Sequence, residues 1–322
     1  DLNGDGKEDL VTGPYWYENT GAVSGKWIRH IIGEPFNNFS KAYDFDGDGD
    51  LDLLGTEGKP KSGKIIWAQN DGKGVFTVMT NIEPLDAGDF MQGVEIAKFQ
   101  GDALQIALSW HKGGDGIQAL TVPADPAKDT WTLSQFTDFT QNEDLGSGDI
   151  DGDGDLDLYT GTAWLCNEGD KWTVRQIGVV NDEGETTVPD RISLVDLDGD
   201  GDLDGVAGLE NGKNLFWFEN VAAAEDKWTR HQIGVIPGEG FSQSVADMDG
   251  DGDVDVIVGE HRGPEKNNRV IVFENLGQAK DWKMVVIDEP NGVDIDHHIG
   301  TVAADLDGDG DNDYFNYTLA AE

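Results

Sequence analysis

One cysteine, Cys166, stands in the whole chain, so no disulfide can form within it. It is expected to serve as a small packing residue. Basic residues are scarce too. Lys and Arg number 22 against 64 Asp and Glu, for a formal charge of −42. Such a surface repels nucleic acid and anionic membranes, and neither is expected as a partner. No apolar run reaches the roughly 18 residues of a membrane-spanning helix, so direct membrane insertion is not expected. No stretch reads convincingly as helix, and no signal peptide is visible. The chain opens at Asp1 inside a motif and without Met, which leads us to expect a piece of a larger secreted or surface protein.

The acid is not gathered in a tail. It recurs as six nine-residue clusters: five read D-x-D-G-D-G-D-x-D, and the first, Asp1 to Asp9, has Asn3 and Lys7 at two of the acidic positions. A seventh slot, Ala97-Lys-Phe-Gln-Gly-Asp-Ala-Leu-Gln105, keeps the flanking apolar runs but has lost the carboxylates. The slots begin at 1, 44, 97, 149, 196, 247 and 305. A period near 50 suits a four-stranded propeller blade.

The rest of each repeat agrees. An apolar run follows each cluster, as in Val254-Asp-Val-Ile-Val-Gly259. A second run ends in an aromatic and Asn, as in Tyr15-Trp-Tyr-Glu-Asn19 and Leu215-Phe-Trp-Phe-Glu-Asn220. A third opens on Trp27, Phe76, Trp131, Trp172, Trp228 or Trp282, and a short fourth leads into the next cluster. β-Branched and aromatic residues alternating between Gly and Asn turns read as strands.

This repeat resembles the FG-GAP/VCBS family of calcium-containing β-propellers, also seen in the integrin α-subunit head, over essentially the whole chain. The resemblance implies an all-β ring of blades in one domain, 1–322, with each acidic loop joining the first and second strands of a blade. Seven four-stranded antiparallel blades with an incomplete last one are expected; six blades closed by the C-terminal segment are the alternative.

Calcium takes about six to eight oxygen ligands at roughly 2.3–2.6 Å. Side chains at loop positions 1, 3, 5 and 9 can converge on one ion, with the backbone carbonyl of position 7 adding a ligand. The expected ligand sets are Asp1, Asn3, Asp5 and Asp9 with the Lys7 carbonyl; Asp44, Asp46, Asp48 and Asp52 with that of Asp50; and Asp149, Asp151, Asp153 and Asp157 with that of Asp155. Asp196, Asp198, Asp200 and Asp204 with Asp202, Asp247, Asp249, Asp251 and Asp255 with Asp253, and Asp305, Asp307, Asp309 and Asp313 with Asp311 complete the series. About six structural calcium ions are therefore expected. Calcium modules of low affinity work outside the cell, so an extracellular or cell-surface location is expected.

Strand topology sends His111 and Lys112, His261 and Arg262, and His297 and His298 to the face opposite the acidic loops. These are the candidate ligand-binding residues, with His111, His261 and His298 also as catalytic candidates. His30 and His231, each three residues after a Trp, read as solvent-facing residues of outer strands.

Two functions follow. One is a protein- or glycan-binding or adhesion module, with Trp110 and Trp164, read first as blade-packing residues, as candidates for stacking on sugar rings. The other is a polysaccharide lyase, since some propellers with similar repeats cleave uronic-acid polymers by β-elimination. Those lyases place two histidines in one blade; here His111 would face Met91 or Gln92, and His261 would face Phe241. A lyase would also need a basic patch, for which Lys112, Arg262 and Arg269 are available. Binding rather than catalysis is the preferred reading.

Overall fold

A computed structural model describes residues 1–21, 25–58, 63–84, 90–111, 116–141, 143–178, 189–208, 212–261, 268–289 and 300–317; of Phe241, His261, Asn316 and Tyr317 it describes the backbone only. Among these residues the only helix is a single 3₁₀ turn, Ala223–Glu225. Everything else regular is antiparallel strand, each sheet formed in chain order from consecutive segments.

The first sheet has three strands, β1 (Leu10–Thr12), β2 (Tyr15–Glu18) and β3 (Ile28–Ile31). Five four-stranded sheets follow. They are β4 (Phe36–Tyr43), β5 (Asp52–Glu57), β6 (Ile65–Asn70) and β7 (Phe76–Met79); then β8 (Met91–Ala97), β9 (Gln105–Trp110), β10 (Ile117–Thr121) and β11 (Thr132–Thr137). The next two are β12 (Gly146–Gly148), β13 (Asp157–Tyr159), β14 (Ala163–Asn167) and β15 (Trp172–Gln176), and β16 (Ile192–Val195), β17 (Asp204–Ala207), β18 (Asn214–Ala222) and β19 (Lys227–Val235). The last of the five is β20 (Glu239–Ala246), β21 (Asp255–His261), β22 (Val270–Asn275) and β23 (Trp282–Asp288). A two-stranded sheet, β24 (Gly300–Ala304) and β25 (Asp313–Tyr317), ends the described chain.

The fold is a β-propeller of four-stranded antiparallel blades. Six sheets of three or four strands are present among the described residues, which is the six-bladed alternative rather than seven. The physical reason is that, among the described residues, the seventh repeat contributes only its first two strands, a hairpin and not a blade.

Contacts divide the chain into two compact units, 1–142 with 305–309 and 143–304 with 310–322. Within each unit, successive blades stack face to face. In the first, Trp16 and Phe36 meet Leu53 and Ile66 between blades one and two, and Leu54 and Trp67 meet Ile106 and Leu108 between blades two and three. In the second, Tyr159 and Trp164 meet Ile192 and Phe218, and Val206 and Trp217 meet Val256 and Ile271. Middle strands are therefore covered on both faces. β9, β14 and β17 are buried at every residue, which is why they read as apolar runs without alternation. Outer strands such as β3 and β19 keep exposed residues.

Candidate metal loops

Five of the acidic loops join the first and second strands of their sheets, as in β4–loop–β5, and loop one leads into β1. Loop two shows how nine residues make a cage. Asp44 Oδ1 accepts the N–H groups of Gly47 (2.7 Å) and Asp48 (3.1 Å), and its Oδ2 accepts that of Gly49 (3.0 Å). Asp46 Oδ1 accepts from Asp48 N–H, and Asp48 Oδ1 from Asp50 N–H. Gly47 and Gly49 sit at φ of 75° and 98°, left-handed values that glycine adopts at little steric cost. The side chains thus fold inward over their own backbone. Carboxylate oxygens of Asp44, Asp46 and Asp48 all lie within 4.8 Å of one another. The same holds for Asp149, Asp151 and Asp157, for Asp196, Asp198 and Asp204, and for Asp247, Asp249 and Asp251. An ion at roughly 2.4 Å from each oxygen spans at most about 4.8 Å, so these groups fit a divalent cation. In the last loop, Gly308 N–H donates to Asp305 Oδ1 at 2.7 Å, the same turn.

The aspartate at position 9 has a further task. Asp52 Oδ2 accepts the N–H of Phe45 (3.1 Å), and its Oδ1 accepts that of Asn70 (2.8 Å). Asp9, Asp157, Asp204 and Asp255 repeat this pair of bonds. They tie the loop start to the end of the third strand. Burial, opposed by these two donors and reinforced by the neighbouring loop carboxylates, pushes Asp52, Asp157 and Asp204 up to about 7 and Asp255 up to about 6. An ionised carboxylate is costly there unless a cation shares it.

Sequence reasoning missed the role of the asparagine that closes the third strand. Asn70 Nδ2 donates to the Leu51 carbonyl of its own loop and to the Leu2 carbonyl of the preceding blade, at 3.1 and 2.8 Å. Asn220 and Asn275 make the same two bonds, reaching back to Ile150 and Leu197, and Asn19 bonds the Glu8 carbonyl of its own loop and the Leu306 carbonyl of the last acidic loop. The recurring aromatic-x-Asn spelling was the available signal.

Two loops depart from the pattern. In loop one the Lys7 ammonium lies 2.8 Å from Asp5 Oδ2 and holds that carboxyl below its ordinary range. In the third slot Gln105 stands in for the position-9 aspartate, and its Oε1 accepts Gln100 N–H at 2.8 Å. A neutral side chain keeps the turn where no cage remains.

An FG-GAP-like repeat model matches residues 1–54, 44–105, 196–258 and 247–315. The chain belongs to the FG-GAP-like repeat family. No curated protein matches it in sequence. Among solved structures it is similar to an exo-β-1,3-galactanase from Phanerochaete chrysosporium in complex with β-1,3-galactotriose, at 13% identity and a TM-score of 0.40. That likeness covers 86% of this chain and 66% of the other, just under two thirds of its length.

Away from the FG-GAP loops, few of the expected ligand-binding residues lie in view. Lys112, Arg262, His297 and His298 fall outside the described residues, and His261 is described only in its backbone. His111 follows β9; its N–H donates to the Phe90 carbonyl and its ring packs edge-on against Phe90. His261 pairs with Glu239 in the β20–β21 register and not with Phe241. Arg269 is no part of a free basic patch: its guanidinium holds the buried Glu260 at 2.7 and 2.9 Å. Trp110 and Trp164 are 2% and 0% exposed, so they pack within the molecule and present no face to a sugar. Burial pushes the Cys166 thiol up to about 12, and its Sγ lies 3.5 Å from Asp151 Oδ2. His30 and His231 lie on outer strands as expected, each stacked on a Trp and bonded to a Glu.

Proposed function

We propose that this chain is an extracellular, calcium-stabilised β-propeller serving as a protein- or glycan-binding module. One observation carries the metal reading. In loop four, Asp149 Oδ1 and Asp151 Oδ1 are buried and accept no hydrogen bond, although they lie in a group of converging carboxylates. Buried polar atoms are almost always partnered, and a cation is the partner these oxygens can share. Calcium suits the cage better than magnesium, which sheds its water reluctantly and takes few protein ligands.

The ion's role is structural. In loop two Asp44, Asp46, Asp48 and Asp52 each also accept a backbone N–H from their own turn or strand, so the cage organises the hairpin. Asp1, Asn3, Asp5 and Asp9, and the corresponding residues of the other five loops, would hold one ion each, about six in all. Six ions would bring the formal charge from −42 to −30. Affinities of about 10⁻⁴ to 10⁻³ M are typical of extracellular modules, in keeping with display outside the cell. The propeller then presents a rigid face to a partner.

The test is calorimetric melting in calcium and in excess chelator. A markedly lower transition with chelator is expected; coincident transitions would overturn the calcium reading.

A further inference from the structure

The third repeat lost its acidic loop, and a cavity of about 540 Å³ lies beside the turn that took its place. One wall is loop two, with Tyr43 and Asp46; the other is the turn carrying Lys98 and Asp102; Pro123 and Pro126 contribute apolar surface. The whole cavity belongs to the first compact unit. Its size is that of an ordinary small-ligand pocket.

We infer that this cavity is a binding site for a neutral saccharide, an inference that rests on the calcium-stabilised binding module proposed above. Three features select that class. Tyr43 is 37% exposed and tilted 5.5 Å from Phe45, so its ring offers a surface on which a sugar's C–H face can lie. Lys98 and Asp102 line the cavity and make no hydrogen bond or ion pair among the described residues. One is a free donor and the other a free acceptor, which hydroxyl groups satisfy together and an apolar ligand does not. The third feature is charge. With a divalent cation held by Asp44, Asp46, Asp48 and Asp52, that wall keeps a residual charge of −2 (four carboxylates against one ion), while Lys98 and Asp102 cancel each other, so the cavity stays unfavourable to anions. The strongly acidic chain repels uronates, phosphates and sulfates. A neutral, hydroxyl-rich chain end is what remains. The loss of the third cage would thereby exchange an ion site for a ligand site.

The experiment is isothermal titration of the full chain in calcium with cello-, manno- and xylo-oligosaccharides, and with oligogalacturonate as the anionic control. At least one neutral series should bind. Lys98→Met and Asp102→Asn, both clear of the cages, should each weaken it by about tenfold, and Tyr43→Ala should do the same. All three variants should keep the calcium-dependent rise in melting temperature. Preference for oligogalacturonate, undiminished binding by Lys98→Met and Asp102→Asn, or no binding by any series would overturn the inference. The calcium reading is judged separately, by melting of the unsubstituted chain with and without chelator.

Discussion

The side-chain amide of Asn220 donates to the backbone carbonyl of Ile150, seventy positions earlier, across 2.9 Å in the buried space between two blades. A second bond from the same nitrogen reaches Leu203 of its own loop at 3.3 Å. One side chain thus fastens its own acidic loop and the one before it.

Asn220→Ala should destabilise the chain strongly even in saturating calcium. Two buried carbonyls would lose their donor, at roughly 1–3 kcal/mol each. Asn220→Asp should be worse, since it sets a carboxylate against those carbonyls and beside Asp204. Denaturant unfolding of both variants in calcium checks this, with a lower midpoint expected in that order.

Chelation should lower the melting temperature in proportion to the number of occupied loops. A site filled at about a hundred times its dissociation constant contributes about 2.7 kcal/mol. Asp196→Ala together with Asp198→Ala should remove one such increment and leave the other loops responsive. Stepwise calcium titration of the melting temperature, and metal analysis of the dialysed protein, read this out.

The sign of the pH effect should reverse with calcium. In chelated protein, Asp52, Asp157 and Asp204 titrate at about 7 and Asp255 at about 6, against about 3.9 in an unfolded chain. The folded state therefore binds these protons more tightly. Their contribution to stability is complete below about pH 4 and is lost as pH rises through about 6 to 7. Calcium needs the same groups ionised, so its stabilisation fades as pH falls. Melting curves in chelator should rise in temperature from about pH 8 to pH 5, while those in calcium should fall, and the two should converge. Parallel curves would contradict the assignment of these four aspartates.

Gly74→Ala should cost much more than Gly169→Ala. Both glycines have positive φ, 73° and 81°, which costs a residue with a Cβ roughly 1–2 kcal/mol. At Gly74 that Cβ would also lie 2.4 Å from the Trp16 ring of the neighbouring blade, whereas at Gly169 nothing lies within 4 Å. Overpacking adds roughly 1–3 kcal/mol at Gly74 alone. Thermal unfolding of the two variants gives the comparison.

Much of the blade could be read directly. The spacing of Asp44, Asp46 and Asp48 announces a cage, because its geometry is set within nine consecutive residues by two glycines and their own N–H groups. Ile65 to Asn70 reads as a strand for an equally local reason. The histidine face was another matter. Its residues come from different repeats, so their separation depends on how blades are arranged, and most of them lie outside the described residues. Trp110 and Trp164 stayed open between two roles for a related reason: a strand tryptophan looks the same in sequence whether it meets solvent or the next blade, and both proved buried.

By itself the sequence determined the strands, the period and the acidic loops, since each depends on contacts among near neighbours. Only the tertiary structure decided that Asn70 and Asn220 bind the preceding blade and that Arg269 is consumed by Glu260. It alone decided that Tyr43, Lys98 and Pro123 share one cavity. Those outcomes depend on which blade faces lie against each other, and packing between distant segments leaves no periodic mark along the chain.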